Sequence, residues 1–283
     1  MTKPSSSSSH NHALNNRALN NSAINTHGCH DEASQDASRD SYQDLHRNQG
    51  ALTLQPVAIA HTPFKEKFAI PRQPRLASAA RAEIRLVPPF DSPLALQGLE
   101  QVSHVWLLFQ FHQTLTSADA PRLRVRPPRL GGNDKIGVFA SRATHRPNNI
   151  GQSVVALEQI DGCSLWVRGV DLLDGTPIID IKPYVPYADQ VCDAVNHMAA
   201  AEPELLSVDW QPQAQQTALQ QQQRLQQPVV ELIEQCLAQD PKPAYQKPAP
   251  ERIYGVQLWD LNIRWHYPQP DRICVLQVEP AES

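Results

Sequence analysis

The chain has 283 residues and a formal net charge of -4; 41% of its residues are hydrophobic, with 25 prolines but only 11 glycines. This length leaves room for one large domain or two modest ones, each able to bury a core. No apolar run approaches the roughly 20 residues that span a bilayer, and the five cysteines are scattered singly. A membrane span and a disulfide framework are therefore excluded, and we expect a protein of the cytoplasm.

Residues 1–50 form a low-complexity tail of Ser, Asn, His and Ala with hardly any large apolar side chain. Such a segment cannot offset the entropy of ordering itself, so the tail is predicted to be disordered. The HGCH run at 27–30 contains metal-ligand residue types, but no framing fold holds them. We therefore predict no metal site.

The segment 51–200 is predicted to be one strand-rich domain. Strands are expected at 54–60, 102–111, 136–140, 153–160, 164–170 and 177–182, with the second of these buried on both faces. Gly, Asn, Asp and Pro separate these short runs. Closely spaced strands with turn signals favour an all-β barrel or sandwich over βαβ units.

The segment 201–283 is predicted to be a small α+β module. A Gln-rich stretch at 211–227 leads into a helix at 228–239, with Pro228 in its first turn. The apolar residues of that helix recur at helical spacing: Val229, Leu232, Ile233, Cys236 and Leu237. After a Pro-rich breaker at 240–245, alternation within 253–267 and 272–278 indicates two further strands.

The most informative segment is 126–151, RPPRLGGNDKIGVFASRATHRPNNIG. It collects five cations, Arg126, Arg129, Lys135, Arg142 and Arg146, around a single acid, Asp134. In a chain with a net negative charge, this favours an anionic partner. A solvated charged surface is the alternative, but the prolines and glycines predict stiff, sharply turning loops, which are typical of a binding site.

A second informative segment, 174–184, starts with the tight turn Asp174-Gly175-Thr176-Pro177. Asp180 and Lys182 follow on one face of the next strand, where they either hold a polar ligand or form a surface ion pair of little energy. Earlier, His112 and Gln113 end a strand. The Gln113 side chain can donate and accept hydrogen bonds together, which suits recognition of an adenine edge. For His112 three roles are open: an acid/base, a stacking platform or a structural histidine.

Several chemistries lack their motifs. The chain has no GxGxxG, no GxxxxGK[ST] P-loop, no GxSxG and no HExxH. A Rossmann cofactor site, a P-loop nucleotidase, a serine hydrolase and a zinc protease are therefore not supported.

Residues 54–283 resemble the TrmO (TsaA-like) tRNA methyltransferases. The resemblance is carried by PFKEKFAIPRQP at 63–74, LEQVSHVWLLFQFHQT at 99–114, the segment 126–151, DLLDGTPIIDIKPYVPYAD at 171–189, DPKPAY at 240–245 and LWDLNIRWHY at 258–267. It implies a β-barrel enzyme that uses S-adenosyl-L-methionine, forms dimers, needs no metal and methylates N6 of N6-threonylcarbamoyladenosine at position 37 of tRNA.

By motif position, the resemblance implies a set of cofactor contacts: Arg72, Gln73, Pro74, His112, Gln113, Arg142, Gln152, Asp174, Gly175, Thr176 and Pro177. Two positions depart from the family pattern. Asn149 replaces the second proline of RPNPIG, which is expected to loosen the loop, and Gln152 stands where an apolar residue is expected.

The implied chemistry assigns hypothetical roles to further residues. Asp180 is the candidate acceptor for the substrate N–H, with Tyr184 as a second catalytic candidate. Arg142 is expected to pair with the cofactor carboxylate. Arg129, Arg146 and Lys182 are expected to hold anticodon-loop phosphates or the threonyl carboxylate. The alternative is a non-catalytic barrel that binds an adenosine-like ligand or RNA; a hydrolase would need a metal or a nucleophile–base pair that the sequence lacks.

Overall fold

The computed structural model describes residues 53–114, 123–126, 135–242, 249 and 251–281. Residues 54–283 form one compact unit. The tail that the composition predicts to be disordered lies outside the described residues. Among the helices that are described, none has both the length and the apolar character that a membrane crossing requires.

Twelve strands are described, eight of them in the first part of the chain. These are β1 (Ala58–His61), β2 (Arg81–Leu86), β3 (His104–Gln110), β4 (Arg124–Val125), β5 (Ile136–Gly137), β6 (Ile150–Asp161), β7 (Ser164–Arg168) and β8 (Thr176–Pro183). Six of them close into an antiparallel barrel in the order β1-β2-β7-β6-β3-β8, and β4 pairs with β5. The mainly β barrel expected from the sequence is confirmed.

The barrel strands bury one face only. On β3, Val105, Leu107 and Phe109 are buried, whereas the residues between them keep solvent contact. The expectation that 102–111 is buried on both faces is therefore wrong. Successive side chains of a strand point to opposite faces, and only the inner face of a small barrel meets the core.

Strand β2 has no counterpart in the sequence prediction. Its sequence, RAEIRL, alternates charged residues that face outward with Ala82, Ile84 and Leu86, which are buried. The period of two was present in the sequence. Half of its six residues are charged, however, so the segment does not stand out as an apolar run.

Three long connections meet at one end of the barrel. Because the strands are antiparallel, the ends of β1, β3 and β7 lie beside the starts of β2, β6 and β8, as the pairs His61↔Glu83 and Gln110↔Ile150 show. The connections at this end are 62–80, the described residues of 111–149 (111–114, 123–126 and 135–149) and 169–175. We call these three segments the loop rim. They bring together parts of the chain that are up to about a hundred residues apart.

The C-terminal part adds helices and a second sheet. Its elements are α1 (Pro186–Asp189), β9 (Ser207–Trp210), α2 (Pro212–Leu225), α3 (Val229–Ala238), β10 (Tyr254–Leu258), β11 (Leu261–Gln269) and β12 (Arg272–Pro280). The four strands form a sheet in the order β10-β11-β12-β9. The apolar residues predicted for the helix at 228–239 are all buried on α3, which confirms that helix and its inward face.

The strand prediction for this part was incomplete. The segment 253–267 contains two strands rather than one, because the chain turns back at Trp259, which has φ 53, and Asp260. The short strand β9, which pairs in parallel with β12, was not predicted. Four residues with only two apolar side chains, Val208 and Trp210, carry too weak a signal for a sequence-based assignment.

Candidate functional site at the loop rim

The loop rim collects nearly all the residues that the family resemblance assigns to the cofactor. Arg72, Gln73 and Pro74 lie in 62–80; His112, Gln113 and Arg142 lie in 111–149; Asp174 and Gly175 lie in 169–175; Thr176 and Pro177 begin β8. Gln152 is the exception, as the third residue of β6. The structure thus brings residues from three distant segments to one end of the barrel.

A polar cluster links these three segments. The guanidinium of Arg142 donates a hydrogen bond to Oε1 of Gln73. The hydroxyl of Ser153 donates to the Asp171 carboxylate over 2.7 Å. Arg142 also acts electrostatically on Asp171. We call Gln73, Arg142, Ser153 and Asp171 the polar cluster.

Asp171, like Ser153, is a residue of this cluster that the sequence analysis did not assign to the site. Its burial raises the pKa of its carboxyl group to about 6, although the Ser153 hydrogen bond and the charge of Arg142 act in the opposite direction. A raised pKa caused by burial next to a charged partner is typical of functional groups. The sequence signal for a buried acid was the position of Asp171 directly before the apolar pair Leu172 and Leu173. In the structure both leucines are buried.

The turn at 174–177 is tied to the first loop by hydrogen bonds. The Asp174 carboxylate accepts the backbone N–H of Thr62 over 2.8 Å and the ammonium of Lys65 over 2.6 Å. Gly175, with φ 75, donates its N–H to the carbonyl of Ala60 over 2.9 Å. Both oxygens of Asp174 are therefore engaged within the protein, and its cofactor role stays a prediction.

His112 and Gln113 interact with the connection 62–80 through Lys67. The Lys67 ammonium donates to the backbone carbonyl of Gln113 over 3.0 Å. Burial, and then the positive charge of Lys67, lower the pKa of His112. The lowered pKa favours the neutral imidazole, which suits contact with an uncharged purine better than contact with an anion.

Asn149 lies in a turn between Arg146 and β6. Its φ is 50, a left-handed conformation that proline cannot adopt, and its N–H donates to the carbonyl of Arg146 over 3.1 Å. Its own carbonyl accepts the N–H of Phe111 over 2.8 Å. Asn149 thus closes a hydrogen-bonded turn, and the expectation of a looser loop stays a prediction. The Arg146 guanidinium also supports this loop, donating to the carbonyl of Ser141 over 2.7 Å.

Gln152 and the two catalytic candidates lie on the outside of the barrel. Leu108 of β3 pairs with Gln152 on one side and with Asp180 on the other. Asp180 and Lys182 are exposed on the same outer face of β8. Tyr184 follows β8 at the opposite end of the barrel, with its ring centroid 5.8 Å from that of Trp106.

This placement separates the catalytic candidates from the loop rim within one chain. At ~3.3 Å per residue, Asp180 is roughly 13 Å and Tyr184 roughly 26 Å along the strand from Thr176. The reason is that β8 is extended and runs away from the rim. Their catalytic roles stay predictions.

A cationic arm extends from the rim. It consists of the described residues 123–126 and 135–149, which carry five cations and no acid: Arg124, Arg126, Lys135, Arg142 and Arg146. Phe139 in this arm is 77% exposed, which is unusual for a large aromatic side chain. The predicted contact Arg129 lies outside the described residues. Within the described part of the chain, no group of three or more His, Cys, Asp or Glu residues is arranged to hold a metal ion.

These features define a β-barrel protein with a polar cluster at one rim and a cationic surface beside it. The family described as tRNA-methyltransferase O N-terminal domain matches residues 59–190, and the TrmO C-terminal domain matches residues 203–281. The chain belongs to the TrmO family, which confirms the resemblance inferred from its motifs. The domain boundary expected near residue 200 stays a prediction.

Individual relatives support the same assignment. A Pseudomonas aeruginosa protein named putative S-adenosylmethionine-dependent methyltransferase RcsF is 64% identical, over 80% of this chain and 97% of its own length. The Escherichia coli tRNA (adenine(37)-N6)-methyltransferase is 42% identical, over 76% of this chain and 93% of its own. The crystal structure of TrmO from Pseudomonas aeruginosa superposes with a TM-score of 0.71 at 56% identity, covering 81% of this chain and 99% of that one.

Proposed function

We propose that this protein is an S-adenosylmethionine-dependent enzyme that methylates adenine 37 of tRNA, with N6 of N6-threonylcarbamoyladenosine as the acceptor atom. The observation that carries the proposal is the polar cluster, in which family motif segments distant in sequence meet at the loop rim. The names of relatives that match over most of the chain support the same reaction. We further propose that the enzyme works in the cytoplasm.

The rim residues suit the charges of this cofactor. When bound, S-adenosylmethionine supplies a methyl group on a positively charged sulfonium, together with a carboxylate, an ammonium and an adenine. Arg142 has donors to spare beyond its bond to Gln73 and pairs with the carboxylate. The Asp171 carboxylate attracts the cationic groups, and the neutral His112 with Gln113 receives the adenine. The protein then contributes mainly alignment of the reacting atoms.

The cationic arm is proposed to bind the anticodon arm of the tRNA. Its cations neutralise phosphates, and the exposed ring of Phe139 offers a surface on which a base can stack. Arg129, Arg146 and Lys182 remain the candidates for phosphate or threonyl carboxylate contacts. Asp180 remains the candidate acceptor for the substrate N–H, and Tyr184 the second catalytic candidate.

The distance between these candidates and the rim supports a homodimer, which we also propose. In a dimer, the outer face of β8 from one protomer faces the loop rim of its partner, so that each site is shared. Mixing Arg142→Ala with Asp180→Asn protomers tests this arrangement. A shared site regains activity in mixed dimers, because one of the two sites then has both native residues; a site contained in one chain regains none.

The proposed reaction is tested by transfer of label from methyl-labelled S-adenosylmethionine to tRNA. We expect label in tRNA that carries the threonylcarbamoyl group and none in the same tRNA without it. Equal labelling of both would refute the proposed acceptor. Binding of the cofactor without any transfer would favour the alternative, a non-catalytic binding module.

A further inference from the structure

Helix α3 presents two glutamines to the loop that carries Arg72, Gln73 and Pro74. Gln235 and Gln239 are four residues apart and therefore lie on the same face of the helix. That face packs against residues 72–79 of the loop rim, and each glutamine both accepts and donates a hydrogen bond there. Family membership alone does not indicate what this contact does.

Gln235 binds the far end of this loop segment. Its Oε1 accepts the backbone N–H of Ala79 over 2.9 Å. Its Nε2 donates to the hydroxyl of Ser78 over 3.1 Å and to the carboxylate of Glu231 over 2.9 Å. The amide of one side chain thus connects the helix to two consecutive loop residues.

Gln239 binds the near end and is only 5% exposed. Its Oε1 accepts the backbone N–H of Arg72 over 3.4 Å, and its Nε2 donates to the carbonyl of Leu76 over 3.3 Å. The Arg72 guanidinium in turn donates to the backbone carbonyl of Gln239. That carbonyl lies at the C-terminal end of α3, where carbonyls lack helical partners and the helix dipole favours a cation.

The loop needs such support from outside. Ala69 and Arg75 have φ values of 59 and 72, a left-handed conformation that is unfavourable for residues with a side chain. A loop with unfavourable local conformations keeps one shape only when its surroundings determine that shape. The contacts from α3 supply part of this determination.

We propose that Gln235 and Gln239 are positioning residues through which the C-terminal module holds the Arg72–Pro74 segment, so that Gln73 meets Arg142. The importance of this for the cofactor rests on the function proposed above. The C-terminal module then has a defined part in the cofactor site, although neither glutamine touches the cofactor. The two glutamines act through the loop alone.

The test replaces both glutamines by methionine, which is close in shape but makes no amide hydrogen bonds. In the full-length Gln235→Met/Gln239→Met protein, we expect the Kd for S-adenosylmethionine to rise about tenfold, since more than one net hydrogen bond is lost. We expect kcat at saturating cofactor and the KM for tRNA to stay within about threefold of wild type, because a displaced loop is restored once the cofactor binds.

Gln222→Met is the matched control. Its Oε1 accepts the N–H of Val230 over 3.4 Å, so this glutamine connects α2 to α3 without reaching the loop. We expect no change in the cofactor Kd for this variant. An equal loss of affinity in the control would overturn the proposal, because the effect would then belong to the module as a whole.

Amide hydrogen exchange gives a readout that does not depend on catalysis. In the double variant, the N–H groups of Arg72 and Ala79 should lose protection, while those in the middle of β11 keep theirs. Unchanged exchange at Ala79 would overturn the contact itself. Lost protection with an unchanged cofactor Kd would overturn the positioning role alone. A wild-type protein that binds no cofactor would instead refute the proposed function, whatever the exchange data show.

Discussion

Replacement of Asp171 by asparagine should stabilise the protein while impairing its cofactor site. In the folded protein the pKa of Asp171 is raised from 3.8 to about 6, so the folded state binds this proton more tightly than the unfolded state. The ionised carboxylate therefore opposes folding: the penalty is absent below about pH 3.8 and complete above about pH 6. A shift of about two pKa units corresponds to a cost of about 3 kcal/mol in the free energy of unfolding. Because Asp171 keeps some solvent contact, we expect the asparagine variant to gain about 1–3 kcal/mol in that free energy.

Asparagine keeps the oxygen that accepts the Ser153 hydroxyl, so the main change is the removal of the ionisation. Urea unfolding at pH 8 and pH 5 measures the effect. We expect the variant to exceed wild type in its free energy of unfolding at pH 8, with a gain at pH 5 that is smaller by about half. The Kd for S-adenosylmethionine should rise, because the carboxylate that attracts its cationic groups is gone. A variant less stable than wild type at pH 8, or a difference independent of pH, would refute this reasoning.

Four further predictions follow from the site and its loops. Arg142→Ala should raise the cofactor Kd by about 10- to 100-fold in calorimetry, since a charge-assisted hydrogen bond is lost; an unchanged Kd would remove Arg142 from the site. Asp180→Asn should retain cofactor binding and lower kcat by about 10²- to 10⁴-fold, and wild-type turnover would show that Asp180 is not the proton acceptor. Phe139→Ala should raise the tRNA KM by about 5- to 100-fold and Phe139→Trp should not, whereas equal behaviour of the two would argue against base stacking. Asn149→Pro should destabilise the protein by about 3 kcal/mol in urea unfolding while Asn149→Gly costs less than about 1 kcal/mol, and a stable proline variant would contradict the left-handed turn.

Prediction from the sequence succeeded where the signal is local. The apolar spacing of residues 229–237 predicted a helix with one buried face, because the α-helical period is a property of neighbouring residues. The short runs between turn residues predicted an all-β barrel or sandwich for the same reason, and the family resemblance implied the barrel. The cations of 126–151 indicated a surface for an anionic partner, since charge and backbone stiffness are properties of the residues themselves.

The tertiary structure decided which of these residues meet. Asp171 acquires its raised pKa from burial, and Gln239 acquires its loop contacts from the packing of α3; neither follows from local sequence. Asp180 and Tyr184 belong to a family motif, but Asp180 lies on β8 and Tyr184 follows it, and that strand runs away from the rim. The sequence by itself thus determined the family, the barrel and the chemical groups available. Their distances and burial depend on strand register and on contacts between segments remote in the chain, which only the folded protein defines.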